Sequence, residues 1–452
     1  MMFRLEDVIA ATGADIIKED LSSSDLNKEI YSFSTDTRTI EEGQIYLPLK
    51  GASFDGEKFL AQAIEKGAIG CFITGEEYPD NAKIVLKVED TLTAYMQLAN
   101  FKRKKLNPIT IAITGSSGKT TTKEIVNSVL SVRFKTHKTF SNHNNEIGFC
   151  QTLMDMPEDT EVLIVEMGMR GLGEIELLSK YCEPDYAVIT NAGSAHIGRL
   201  GSLDNIAKAK SEITKYLNPS GTLVAQNNDR IKKFVSDFKG KKIYHDLKDV
   251  EITERKPSYT KFVYKEKEYE INSEGDYNAD NSVTAIELGY LLGMKYEEIH
   301  KGLLNYKPIE KRWETQDVKG LKIINDSYNA NPESMKASVS TFLQLYKNPV
   351  VVLGNMGELG DYADELHKCV GKYLSTLPET KNARFLTVGE YAKEIGEILE
   401  NSAEFVRNFD NNDEVSKYII DNVDAGTTIF LKASRSMKFE EIIGKIEGEV
   451  KK

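Results

Sequence analysis

Apolar, strand-like runs alternate with helix-like stretches along almost the whole chain, and this alternation restricts the fold more than any other feature. The runs are 45–49, 69–75, 109–115, 162–168, 186–191, 349–354, 384–389 and 428–434, and helical spacing fills 57–67, 119–131, 203–217, 334–346 and 390–400 between them. Successive strands separated by helices pair in parallel, so the expected class is α/β with mostly parallel sheets. A length of 452 residues suggests two to four domains. Breaks fall at the basic stretch 101–108 and at 305–314, where Pro308 follows a helix-like segment. The expected domains are therefore 1–106, 107–308 and 309–452. Region 251–271, rich in Thr, Tyr, Val and Lys, reads as a small hairpin inserted into the middle one.

Charge and cysteine usage narrow the function. The net charge of −12 argues against sequence-independent nucleic-acid binding, which needs a basic face, but leaves room for a local basic pocket. No apolar run approaches the ~20 residues of a membrane span. The first residues acquire acids early and do not read as a signal peptide. The four cysteines form no CxxC pair, which fits a reducing cytoplasm.

The segment ITIAITGSSGKTTTKE (109–124) carries the most specific chemistry. A strand runs into Gly115-Ser116-Ser117-Gly118-Lys119-Thr120 and then into a helix, and these residues together with Thr121 are the candidate ATP-binding loop. This is a shortened phosphate loop, not a strict G-x-x-x-x-G-K-[ST]. Its physics is complete: main-chain N–H groups turn inward around phosphate oxygens, the helix N-terminus adds positive potential, Lys119 reaches the β- and γ-phosphates, and the Thr120 hydroxyl can ligate Mg2+. A metal-binding acid belongs at the end of a neighbouring strand, where 162–170 supplies Glu166.

Other clusters are less specific. His196 lies in the polar loop 190–202, either as a loop residue without chemistry or as a second metal ligand. Lys208 and Lys210 follow on one helix, and periodicity cannot choose between them. The Asn-rich stretches 141–148, 275–285 and 325–334 serve as turns and caps, or together as hydrogen-bond partners for a base, a ribose and a polar substrate. STDTR (34–38) and FDGEKF (54–59) are polar turns of the first domain. Lys432 and Arg435, near the end of the last strand, are either surface charge or readers of a carboxylate or phosphate.

Taken together, STDTR, FDGEKF, TGSSGKTTTKE, SNHNNEIG, VEMGMRGLGEI, TNAGSAHI, IAKAKSEI, DSYNANPESM, LGNMGELG and LKASRS make the chain resemble the Mur ligases over essentially its whole length. The likeness is greatest to the members that add D-alanyl-D-alanine. It implies a UDP-sugar domain, a central ATPase and a Rossmann-like C-terminal domain, in a cytoplasmic monomer. It implies ATP, two Mg2+ ions and a CO2-derived carbamate on Lys210 as cofactors, and UDP-N-acetylmuramoyl-tripeptide and D-alanyl-D-alanine as partners. The tripeptide carboxylate would take the γ-phosphoryl group of ATP, and the dipeptide amine would displace phosphate from the acyl phosphate.

By the same resemblance Glu166, His196 and carbamylated Lys210 join Thr120 as metal ligands, and Lys119 is catalytic. Asn278, Asn281, Arg312, Asp326 and Asn329 would contact ATP. Ser34, Thr35, Asp36, Arg38, Phe54, Asp55 and Gly56 would hold the UDP end. Asn144, Asn145 and Arg170 would face the muramoyl-peptide, and Lys432 and Arg435 the dipeptide carboxylate or the tripeptide. Tyr277 and Lys311 stand where the family often has His and Gly. Two alternatives stay open: a glutamate-adding or other amide ligase on the same scaffold, and a nucleotide-binding module without turnover.

Overall fold

The structure, a computed structural model, describes residues 3–21, 31–51, 54–309 and 311–448. The chain divides into two compact units. The smaller comprises 1–109, 137–165 and 180–182; the larger comprises 110–136, 166–179 and 183–452.

The smaller unit is built on a five-stranded sheet in the order Asp15–Glu19, Ile84–Lys87, Gly70–Ile73, Ile45–Tyr46, Phe33–Ser34. The first pair is antiparallel and the rest are parallel. Tyr46, Leu60, Ala63, Cys71, Ile73 and Val85 close its core. The helix Thr91–Leu106 starts where the Asp90 carboxylate accepts the Thr93 N–H at 2.7 Å. It ends in Arg103, Lys104 and Lys105, which suit the negative helix terminus, and in left-handed Asn107 before Pro108. The basic stretch seen in the sequence is thus a helix C-terminus.

In the larger unit the strands Lys241–His245, Thr222–Gln226, Tyr186–Ile189 and Ile109–Thr114 lie side by side, all parallel. The strand Val162–Glu166 delivers Glu166 to this unit, and the Met167 N–H donates to Ile113 O at 2.8 Å. Residues 250–271 form three antiparallel strands, Val250–Lys256, Tyr259–Tyr264 and Lys267–Ile271, one more than a hairpin. Alternating burial along Tyr259–Tyr264 shows that only one face is covered.

A second sheet follows, in the order Glu314–Val318, Leu321–Asn325, Thr428–Lys432, Val350–Gly354, Arg384–Val388, Phe405–Phe409. Its first pair is antiparallel and all others are parallel. Val350–Gly354 is fully buried, as its uninterrupted apolar run requires. The chain order reverses around Thr428–Lys432, and the parallel pairing of Leu321–Asn325 with Thr428–Lys432 brings Asp326 and Lys432 together at their carboxyl ends. Among the described residues no helix is long and apolar enough to cross a membrane.

Candidate active site

The phosphate loop needs its glycines. Gly115 has φ +156°, and a Cβ there would fall 1.9 Å from Thr190 Oγ1. Gly118 has φ +76° and precedes the helix Lys119–Leu130, whose N-terminus has no side-chain cap. That end keeps its positive potential for an anion. Asn191 holds the loop in shape. Its Oδ1 accepts the Ser116 and Ser117 N–H groups at 3.1 and 2.9 Å, and its Nδ2 donates to Ser117 O and Oγ at 3.1 and 2.9 Å.

Three lysines converge behind this loop. Lys119 Nζ donates to Gly115 O at 2.8 Å. Burial pulls its pKa below the ordinary lysine value, with Arg312 adding to the effect and Glu166 opposing it. Lys123 is fully buried, 3.7 Å from Glu166 Oε2 and 3.4 Å from Glu124 Oε1. Lys210 is fully buried, and its Nζ has no hydrogen-bond partner. Desolvation, then the nearby Lys119 cation, holds its pKa well below the ordinary value, against Glu212 and Glu166. A buried unpaired ammonium is costly, and this burial disfavours the charged form of the amine. Lys208, two residues earlier, is exposed.

The rim carries the remaining polar groups. Glu166 is 1% exposed at its strand end. His196 takes a left-handed φ of +68°, and its Nδ1 lies 2.7 Å from Glu358 Oε2, whose residue is also left-handed at +63°. Strained backbone of this kind concentrates at functional sites. His196 first of all, and Arg199 and Arg170 more weakly, hold the Glu358 carboxyl below its usual range against burial. Arg312 Nη2 donates to Thr120 Oγ1 at 3.0 Å and its guanidinium stacks 4.1 Å from the Tyr328 ring centre. Lys311 and Trp313 on either side are both left-handed, which explains why glycine suits position 311.

The nucleotide-base candidates are tightly organised. Asn278 Nδ2 donates to Ser273 Oγ at 2.8 Å and Glu274 O at 2.7 Å, so its donors are engaged by the strand end. Asn281 Oδ1 accepts the Thr122 hydroxyl at 3.2 Å and lies against Gly118. Asp326 and Lys432, expected to serve different ligands, form an ion pair at 2.6 Å. Lys432 also lies 3.4 Å from Asn329 O. Arg435 is exposed, 5.7 Å from the Tyr328 ring centre. Arg170 is exposed too, and its N–H donates to Glu174 at 2.7 Å.

The smaller unit holds its own cluster. Arg38 forms a fork on Asp36, with contacts of 2.6 to 3.0 Å, and Ser34 Oγ donates to Asp36 O at 3.0 Å. Thr35 sits half-buried between them. Gly56 packs so closely that a Cβ would lie 2.7 Å from Leu49 O, and Asp55 caps the turn by accepting the Glu57 N–H at 3.1 Å. Phe54 and Phe59 stack at 5.6 Å, both exposed. Asn145 caps the helix Glu146–Met154 through the Gly148 N–H at 3.0 Å, with Asn144 just before it.

The Asp36–Arg38 fork makes a direct prediction. The Arg38 hydrogen bonds lower the Asp36 pKa to about 2. The pair therefore forms fully above the ordinary carboxylate value and is lost as pH falls through about 2. Carbon-detected NMR should find that midpoint, and Arg38→Ala should return it toward the ordinary value; an unmoved midpoint would refute the pairing.

Sequence reasoning passed over Asn191, Lys123, Glu212 and Glu358. Asn191 lies two residues beyond the strand Tyr186–Ile189, which was the available signal. Lys123 lies one helical turn after Lys119 but reads as an ordinary helix charge. Glu212 accepts the Gly173 N–H at 2.8 Å at the start of the helix Glu174–Cys182.

Comparison with known proteins identifies the family. The Mur ligase middle domain matches residues 113–289 and the Mur ligase glutamate ligase domain matches residues 311–435. The UDP-N-acetylmuramoyl-tripeptide–D-alanyl-D-alanine ligase of Bacillus subtilis is 37% identical over 445 residues, covering 95% of this chain and 96% of that protein. A crystal structure of MurF from Acinetobacter baumannii matches with a TM-score of 0.86 at 27% identity, over 99% of each chain. MurF from Thermotoga maritima, solved in complex with ADP, shares the fold with a TM-score of 0.82 at 24% identity, over 93% of this chain and 98% of that one. From end to end, then, the chain belongs to the Mur ligase family.

Proposed function

We propose that the chain is an ATP-dependent amide ligase that joins D-alanyl-D-alanine to UDP-N-acetylmuramoyl-tripeptide, forming the pentapeptide precursor of peptidoglycan. The carrying observation is the buried, unpartnered amine of Lys210 beside Lys119 and Glu166, behind a phosphate loop. The Bacillus subtilis relative bears the name of this reaction. We assign residues 1–106 to the UDP-sugar, 107–308 to ATP and 309–452 to closure over the reacting groups.

The reaction brings an anionic carboxylate to an anionic triphosphate. Two like charges 4 Å apart repel by about 4 kcal/mol at an effective dielectric of ~20. Lys119 and Arg312 offset this repulsion and hold the γ-phosphoryl group for transfer. The carboxylate oxygen bonds to phosphorus as ADP leaves. The dipeptide amine then attacks the acyl carbon, and phosphate departs with the oxygen it received.

Among the described residues no group of three or more His, Cys, Asp and Glu side chains is placed to hold a metal alone. Glu166 and the Thr120 hydroxyl fit Mg2+ only as partial ligands, with the nucleotide and a modified Lys210 completing the set. Mg2+, when bound, neutralises phosphate charge. Lys210 fits the carbamate because a neutral amine is the form that bonds to CO2, losing a proton as it does. His196, with Nδ1 on Glu358, keeps Nε2 for a second ion.

The decisive experiment is mass spectrometry of the product from ATP, Mg2+, UDP-muramoyl-tripeptide and D-alanyl-D-alanine, with single amino acids offered in parallel. A mass gain of one dipeptide less water is expected. Glutamate incorporation would select the glutamate-adding alternative, and nucleotide binding without product would select the module without turnover. Asn191→Ala should raise the KM for ATP about tenfold, the worth of one or two polar contacts; an unchanged KM would remove Asn191 from the site.

A further inference from the structure

We propose that Glu333 is a positioning residue for the phosphate loop, acting through the single peptide unit between Gly193 and Ser194. The inference rests on the reading that this loop binds ATP. Glu333 lies in the first turn of the helix Pro332–Leu345. Its Oε1 accepts both the Ser194 N–H and the Ser194 hydroxyl at 3.0 Å, and Oε2 lies 3.0 Å from the same hydroxyl. On the other side of that peptide, Gly193 O accepts the Ser116 hydroxyl of the phosphate loop at 3.0 Å. The N–H of one peptide thus faces the carboxylate while its carbonyl faces the loop.

Aligned hydrogen bonds across one amide polarise each other, and a charged acceptor strengthens the chain. The close approach is built in: a Cβ on Gly193 would lie 2.6 Å from Glu333 Cδ. Ser194 is 4% exposed, so its N–H has no ready solvent substitute once the carboxylate is gone. The same stretch is gripped twice more by residues C-terminal to position 311. The Gly198 N–H donates to Glu358 O at 3.2 Å and the Tyr362 hydroxyl donates to Gly201 O at 2.9 Å. The shape of the phosphate loop is therefore conditional on the docking of the helix that carries Glu333. Glu333 touches neither nucleotide nor reacting atoms in this scheme.

Calorimetric binding of ADP with Mg2+ to the full chain tests the link. Glu333→Ala should weaken binding about tenfold, with its melting temperature within a few degrees of wild type. Glu333→Gln, which keeps an acceptor, should stay within about threefold of wild type. Ser116→Ala and Glu333→Ala should be non-additive, the double variant binding within about threefold of the weaker single one, because both cut the same relay. Wild-type affinity in Glu333→Ala, a glutamine variant as weak as the alanine one, or effects that multiply in the double variant would each overturn the proposal. Failure of the wild-type chain itself to take up ADP would sink the ligase reading first, and this link with it.

Discussion

Lys119→Met should lower kcat by about 10³-fold while leaving the fold intact. Removing one donor aimed at developing charge typically costs 10²–10³, and in the proposed role Lys119 serves two phosphates. Methionine preserves most of the apolar stem and deletes only the charge. The resting geometry supports the size of the effect. The Lys119 ammonium is held on Gly115 O although burial disfavours its charge. Keeping a cation where solvation opposes it has little structural purpose, which supports the proposed role of this charge on the phosphates. Single-turnover phosphate release with saturating ATP separates this loss from weakened binding. A variant with wild-type turnover would refute the electrostatic account of the site.

Lys210→Ala should be equally inactive, for a different reason. In the proposed carbamate role the side chain acts as an anion, so short-chain carboxylic acids added to the alanine variant should restore part of the turnover. A stability measurement separates this from misfolding. The unmodified amine is buried without a partner, and such burial costs about 1–3 kcal/mol. Lys210→Met fills the volume without that cost, so in CO2-free buffer it should melt no lower than wild type. Full activity in either variant would exclude the role. Loss of activity together with a collapse in melting temperature would return Lys210 to the core.

The sequence was legible where burial was continuous. The strands Ile109–Thr114, Val162–Glu166, Val350–Gly354 and Thr428–Lys432 fall inside the apolar runs because both faces of a parallel sheet are covered. Edge strands escaped for the same physical reason. Lys241–His245, Glu314–Val318 and Phe405–Phe409 each expose a face and lack a run. Within the site, the phosphate loop could be read because its chemistry is local. Lys210 could not be told from Lys208, since which face of their helix is covered is decided by other elements. The Asp326–Lys432 pair spans 106 residues and has no local sign at all. Glu333 stands inside DSYNANPESM without a local sign of its own, because its proposed role depends on a peptide 139 residues away.

Trp313 is the only tryptophan in the chain. It is 4% exposed, with ring centres 5.2 Å from Phe430 and 6.5 Å from Phe342. Nature has thereby placed one intrinsic fluorophore in the C-terminal sheet, one residue from the arginine that reaches Thr120. Emission excited at the red edge comes from that spot alone, so melting of this sheet can be timed separately from the rest of the molecule without any label.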